Sequence, residues 1–123
     1  MNKVKIIGEE LNGLGMTLKQ IIETNLKVPD AKEKVARLKG RLVVREKESG
    51  ISSTIIFDGE GDVGIQNDAL EKPTAFIEAG FLELADISSG RLGPIKALLT
   101  GKIKAKGNLI KLLKMSQALI SRG

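Results

Sequence analysis

The chain has 123 residues with 20 Lys/Arg against 15 Asp/Glu, a net charge of +5, and no His, Cys, Trp or Tyr. That length is typical of one domain, read here as spanning 1–123, and is enough to bury a core without disulfides or structural metals. Without Cys there is no thiolate chemistry or disulfide, and without His the commonest metal ligand and acid/base group is missing, so an enzyme is not expected and no cofactor is implied.

The opening MNKVKIIG is too short for the apolar region of a secretory signal, and no apolar run approaches the ~20 residues of a membrane-spanning helix, so a cytoplasmic location is expected. Leu14, Leu18, Ile21, Ile22 and Leu26 recur at helical spacing and predict an amphipathic helix over 10–27. Val28-Pro29 ends it, and Pro29-Asp30 opens a second helix with Val35 and Leu38 on one face and Gly40 as its stop. The pattern then changes to short β-favouring runs at 42–46, 51–57 and 62–66, separated by Glu48-Ser49-Gly50 and Asp58-Gly59-Glu60-Gly61. Turn residues between such runs predict a three-stranded antiparallel meander. Pro73 precedes a fourth strand over 74–79, and Phe81, Leu82, Leu84 and Ala85 indicate a short helix ended by Ser88-Ser89-Gly90.

Gly93-Pro94 starts another short helix carrying Ile95, Leu98 and Leu99, which Gly101 stops. Lys102 to Lys106 alternates lysine with Ile103 and Ala105, the signature of a half-buried strand. Asn108 is a natural N-cap for the closing helix. The order predicts an α+β fold in which helices cover one face of a mostly antiparallel sheet. At about 100° per residue, Leu109, Ile110, Leu112, Leu113, Met115, Leu119 and Ile120 span roughly 220° of the closing helix. A helix packed on one layer needs an apolar stripe of only about 100° or somewhat more, so the excess calls for a second layer, a homodimer partner or a ligand.

Charge is segregated along the chain. Residues 51–90 hold one Lys and eight Asp/Glu, whereas residues 91–123 hold eight Lys/Arg and no acid. Charges that interleave in the folded protein would explain this, and so would a basic surface for an anionic partner. Nucleic acid is a poor match: only Phe57, Phe76 and Phe81 are aromatic, and the basic segment has only Arg91 and Arg122 as arginines. Gly59-Glu60-Gly61-Asp62-Val63-Gly64 spells GxGxxG but lies between strands, so it reads as a hairpin turn rather than a nucleotide loop. Counted from Asp58, the sixth and twelfth positions are Val63 and Ala69, which fails the calcium-loop pattern. Ser52, Ser53 and Thr54 have no His to activate them.

Residues 89–113 carry a more specific pattern: Gly90-Arg91-Leu92-Gly93-Pro94, then Ala97, then Gly101-Lys102-Ile103-Lys104-Ala105-Lys106-Gly107-Asn108. This resembles the C-terminal half of the sterol carrier protein type 2 family, and Gly59-Glu60-Gly61-Asp62-Val63 resembles that family's entry to its third strand. The likeness runs over about 50–120. The sequence departs from the family at Pro73-Thr74-Ala75-Phe76-Ile77 and in lacking Trp. The resemblance implies a five-stranded sheet backed by helices, with an apolar tunnel between the sheet and the C-terminal helices. It also implies non-covalent binding or transfer of a fatty acid, acyl-CoA, phospholipid or isoprenoid/sterol-like ligand.

On that basis Phe76, Phe81, Leu84, Ile95, Leu98, Leu99, Ile103, Leu109, Leu112, Leu113 and Met115 are expected to line the site. Lys102, Lys104, Lys106, Lys111 and Lys114 are expected to meet a headgroup or an anionic membrane surface. The protein is expected to be a monomer or weak homodimer. The other readings are a protein-interaction or dimerisation module using an exposed C-terminal helix, or a non-specific binder of anionic surfaces.

Overall fold

The computed structural model describes residues 5–6, 13–27, 33, 35–89 and 91–116. Six strands form one sheet: β1 (Lys5–Ile6), β2 (Lys39–Glu46), β3 (Ser52–Asp58), β4 (Val63–Asn67), β5 (Ala75–Ala79) and β6 (Ile103–Gly107). Their spatial order is β1-β4-β3-β2-β5-β6. The helices are α1 (Gly13–Asn25), α2 (Phe81–Ser88), α3 (Pro94–Leu99) and α4 (Leu109–Ser116). Residues 33, 35 and 36 are also helical, where a second helix is expected; its expected start at Pro29-Asp30 lies outside the described residues.

The meander forms as expected. β2 pairs antiparallel with β3, running from Lys39↔Asp58 to Arg45↔Ser52, and β3 pairs antiparallel with β4. The turn after β3 shows what its acids do. Asp58 Oδ1 accepts the backbone N–H of Glu60 at 2.7 Å and of Asp62 at 3.1 Å, so this carboxylate shapes the turn. β5 then returns beside β2 in parallel register, Leu42↔Ala75 to Glu46↔Ala79, and β6 pairs antiparallel with β5. Two features were not legible in the sequence. One is the parallel β2–β5 pairing, and the other is a sixth strand, the two-residue β1, parallel to β4.

Strand alternation gives the sheet two unlike faces. One face carries Leu42, Val44, Ile55, Phe57, Val63, Ile65, Ala75 and Ile77, all buried with Leu18, Ile22 and Leu26 of α1, Val35, Leu38, and Leu112 and Met115 of α4. A smaller cluster joins Ala79, Ile87, Leu92, Ala97 and Ile103 beneath α2 and α3, and Leu84 packs against both clusters. The opposite face carries Arg41, Arg45, Phe76, Glu78, Lys104 and Lys106 at paired positions. There Arg45 pairs with Glu78 at 3.5 Å. Buried Thr54 anchors the loop that crosses this face, its hydroxyl donating to Asp68 O at 2.8 Å and accepting from Leu70 N at 3.1 Å.

The closing helix is capped as its sequence predicts, with Lys111 N donating to Asn108 Oδ1 at 3.0 Å. Gly107 makes the corner possible. Its φ is +96°, and a Cβ there would sit 2.5 Å from Thr74 O and 3.0 Å from Ala75 Cα. Both are backbone atoms at the start of the neighbouring strand β5 and cannot swing aside.

Gly107→Ala is therefore expected to destabilise the fold by about 1–3 kcal/mol from backbone strain alone, before the clash is counted. Leu42→Ala, which opens a void beneath a side chain with no solvent exposure, is expected to cost about 2–5 kcal/mol. Urea unfolding monitored by circular dichroism checks both.

Candidate ligand cavity

α1 and α2 lie on the same sheet face but leave space between them. The resulting cavity has a volume of about 360 Å³, near the lower end of the range of about 300–1,000 Å³ for ligand pockets. α1 contributes Gly13, Leu14, Thr17 and Leu18, a face set by the i, i+3, i+4 spacing of a helix. The sheet contributes Glu46 at the end of β2 and Ile77 of β5, and the β2–β3 turn adds Ser49 and Ile51. α2 contributes Phe81, Leu84, Ala85 and Ile87. Phe81 stays 66% exposed while lining the space, which marks the open end.

The wall is hydrocarbon apart from three polar side chains, and these are engaged locally. Thr17 donates its hydroxyl to Gly13 O at 3.0 Å, one turn back in its own helix. Ser49 Oγ accepts from Ile51 N at 3.2 Å, and Glu46 Oε2 accepts from Glu48 N. Among the described residues no buried side-chain nitrogen or oxygen lacks a partner. The two hydroxyls are thus engaged by backbone groups, and the remaining wall is suited to enclosing apolar matter.

Carboxylates gather at the rim. A Cβ placed on Gly80 would lie 2.8 Å from Glu83 Oε1 and 2.9 Å from Glu48 Oε1, so both acids converge on the glycine that precedes α2. A side-chain hydrogen bond to Glu46 raises the pKa of Glu48 above the usual carboxylate range, with desolvation and the nearby charges of Glu46 and Glu83 adding to it. The same hydrogen bond is the main cause that lowers the pKa of Glu46 from its ordinary value.

Of the residues expected from sequence to line the site, the structure brings Phe81 and Leu84 to this cavity. Phe76 alternates with Ile77 and so lies on the opposite face of the sheet. Ile103 is buried in the smaller cluster, and Leu112 and Met115 are buried in the main core, Met115 against Gly40. Leu113 is half-buried, and Leu99 and Leu109 are exposed. The side chains of Ile95 and Leu98, like Leu119 and Ile120 of the closing segment, lie outside the described residues.

The space thus sits between α1 and α2 rather than beneath α4, because Leu112 and Met115 pack straight onto the sheet core. None of the five expected lysines lines it. Lys104 and Lys106 project from the opposite sheet face, Lys111 Nζ donates to Lys39 O at 3.2 Å, and Lys102 and Lys114 are exposed. Sequence reading assigned Leu14 and Leu18 to an ordinary core face and did not single out Glu46, Ser49, Ile51, Ile77, Ala85 or Ile87 for the site. The available signal was the apolar face of α1, which carries no information about where α2 stops short of it.

Comparison with known proteins agrees with this architecture. No curated protein matches the chain in sequence. Among solved structures, the ubiquinone synthesis protein UbiJ-SCP2 superposes with a TM-score of 0.68 at 16% identity, covering 89% of this chain and 93% of that one. Sterol carrier protein 2 from Yarrowia lipolytica in its apo form gives 0.63 at 20% identity, covering 90% and 95%. A sec-alkylsulfatase from Pseudomonas sp., Pisa1, gives 0.75 at 14% identity, but there the likeness covers 91% of this chain and only 17% of the enzyme. These likenesses carry the fold. With residues 18–119 matching the SCP-2 sterol transfer family, which covers most of its length, the chain belongs to that family of lipid-binding and transfer proteins.

Proposed function

We propose that this protein binds and carries an apolar lipid in the cavity between α1 and α2, without covalent chemistry. The candidate ligands are a fatty acid, an acyl-CoA, a phospholipid or an isoprenoid/sterol-like molecule. The observation that carries the reading is an apolar space of about 360 Å³ lined by Leu14, Leu18, Ile51, Ile77, Phe81 and Leu84 in a member of a lipid-transfer family. Each methylene moved from water into such a space contributes about 0.8 kcal/mol. Association costs at least about 4 kcal/mol, so a ligand must insert many carbons before binding becomes useful.

A non-catalytic role agrees with a wall whose hydroxyls are committed to backbone partners and with a chain without His or Cys. Lys102, Lys104, Lys106, Lys111 and Lys114 would act away from the cavity, as contacts to an anionic bilayer during loading and release. A second reading is favoured by one observation: Leu109 and Ile110 at the start of α4 are 51% and 71% exposed. They would serve a dimer or protein partner, and a mass that rises with concentration in analytical ultracentrifugation supports that reading.

Native mass spectrometry after mild purification is expected to find a co-purified lipid. With lipid-free protein, affinity for a homologous series of chains is expected to rise about fourfold per methylene until the cavity is full. Ala85→Leu adds bulk inside the cavity and is expected to weaken lipid uptake at least tenfold while leaving the melting temperature within a few degrees. Failure of fatty acids, acyl-CoA, phospholipids and isoprenoids alike to bind the native protein would sink the proposal.

A further inference from the structure

The cavity's polar end is acidic. Glu46 is the one charged side chain lining it among the described residues. It extends from the core face of β2, two residues beyond Val44, so the strand itself aims it there. Glu48 is hydrogen-bonded to it, and the Glu83 carboxylate comes close to Gly80 beside Glu48.

Among the described residues, three bases on the surrounding elements are engaged elsewhere. Lys19 of α1 pairs with Glu23 at 3.0 Å, Arg91 after α2 pairs with Asp86 at 3.2 Å, and Arg45 pairs with Glu78 on the opposite sheet face. Lys47 is exposed and does not line the space. Deeper in, the wall formed by the described residues is apolar and supplies no cation to a buried anion.

We infer that Glu46 makes the cavity a site for lipids whose polar end is uncharged or cationic and donates hydrogen bonds, and that it disfavours free carboxylates and phosphates. This narrows the ligand class and rests on the cavity being the lipid site. An ammonium head at the mouth is attracted by the Glu46 charge, and an alcohol head there meets no like charge and can donate to the carboxylate in exchange with its local donors, Glu48 and Ser49. A carboxylate head in the same place meets a like charge, and turned inward it would be stripped of water with nothing to pair with. The lowered pKa of Glu46 agrees with a carboxylate that is charged at neutral pH.

The test uses three ligands with one tail: dodecanol, dodecylamine and dodecanoate, competing at pH 7 and low ionic strength against a neutral naphthalene fluorophore with a lauroyl tail. An alcohol leaves water more readily than a carboxylate in any case, so the deciding quantity is the change in the dodecanoate-to-dodecanol Kd ratio on Glu46→Gln. Two unit charges about 4–6 Å apart in water predict a three- to fivefold fall in that ratio. Dodecylamine is expected to weaken in the same variant, and added salt is expected to shrink both effects in the native protein.

A fall below threefold, or tighter dodecylamine binding in the variant, overturns the inference while leaving lipid binding intact. Should the fluorophore and all three ligands fail to bind the native protein, the cavity reading falls as well. Melting curves confirm that the variant is folded, and Glu83→Gln serves as a second variant, with the same direction of change and a smaller size.

Discussion

Strand β2 is hydrogen-bonded on both sides, antiparallel to β3 and parallel to β5, and the rest of the molecule takes its register from it. Leu42 and Val44 enter the core on one face, and Val43 is buried on the other between Thr54 and Phe76. The next core-facing position is Glu46, which enters the cavity. Since side chains alternate with a period of two, a one-residue slip would expose the core and remove the acid from the cavity together. Core formation and the chemistry of the cavity mouth are therefore set by the same register.

The helices cover that face unevenly. Leu18, Ile22 and Leu26 of α1 and Leu112 and Met115 of α4 close directly over the sheet, and both helices join one continuous cluster. α2 and α3 instead cover a separate patch around Ile103, so the layer has a gap where α1 and α2 face each other. Leu84 reaches both clusters and borders the gap. An apolar space held open between the main core and the smaller cluster, with Phe81 largely exposed at its edge, suits a guest that can be admitted and released without breaking the main core.

Electrostatics divide along the same geometry. Arg41, Arg45, Lys104 and Lys106 project from the sheet face away from the helices, and Glu78 sits in register between Arg45 and Lys104. The acids Glu46, Glu48 and Glu83 gather at the cavity rim. A bilayer attracted by the lysines and a head group placed at the cavity mouth would therefore meet opposite charges. On the proposed reading, membrane contact and ligand recognition would fall to different sides of the sheet. On edge strand β6 the lysines have a further effect, since charged side chains there discourage pairing with another sheet.

The elements themselves were largely written in local sequence. The spacing of Leu14, Leu18, Ile22 and Leu26, the turn residues around Gly50 and Gly59, the alternation from Lys102 to Lys106 and the cap at Asn108 each specify a local conformation. They do so because periodicity, turn chemistry and capping act over a few residues. The Gly-Lys-Ile-Lys-Ala-Lys-Gly-Asn segment likewise carried the family likeness, and Gly107 shows a physical reason for part of it, since the chain passes too close to Thr74 for any side chain.

The location of the cavity was not written there. The apolar excess of the closing helix pointed to α4, yet Leu112 and Met115 belong to the core and Leu109 and Ile110 are left exposed. Whether an apolar residue becomes core, surface or cavity wall depends on what faces it across the fold. Only the packing of α1 and α2 around Ile77 and Glu46 decided that, through contacts between residues some thirty to seventy positions apart, which no local pattern encodes.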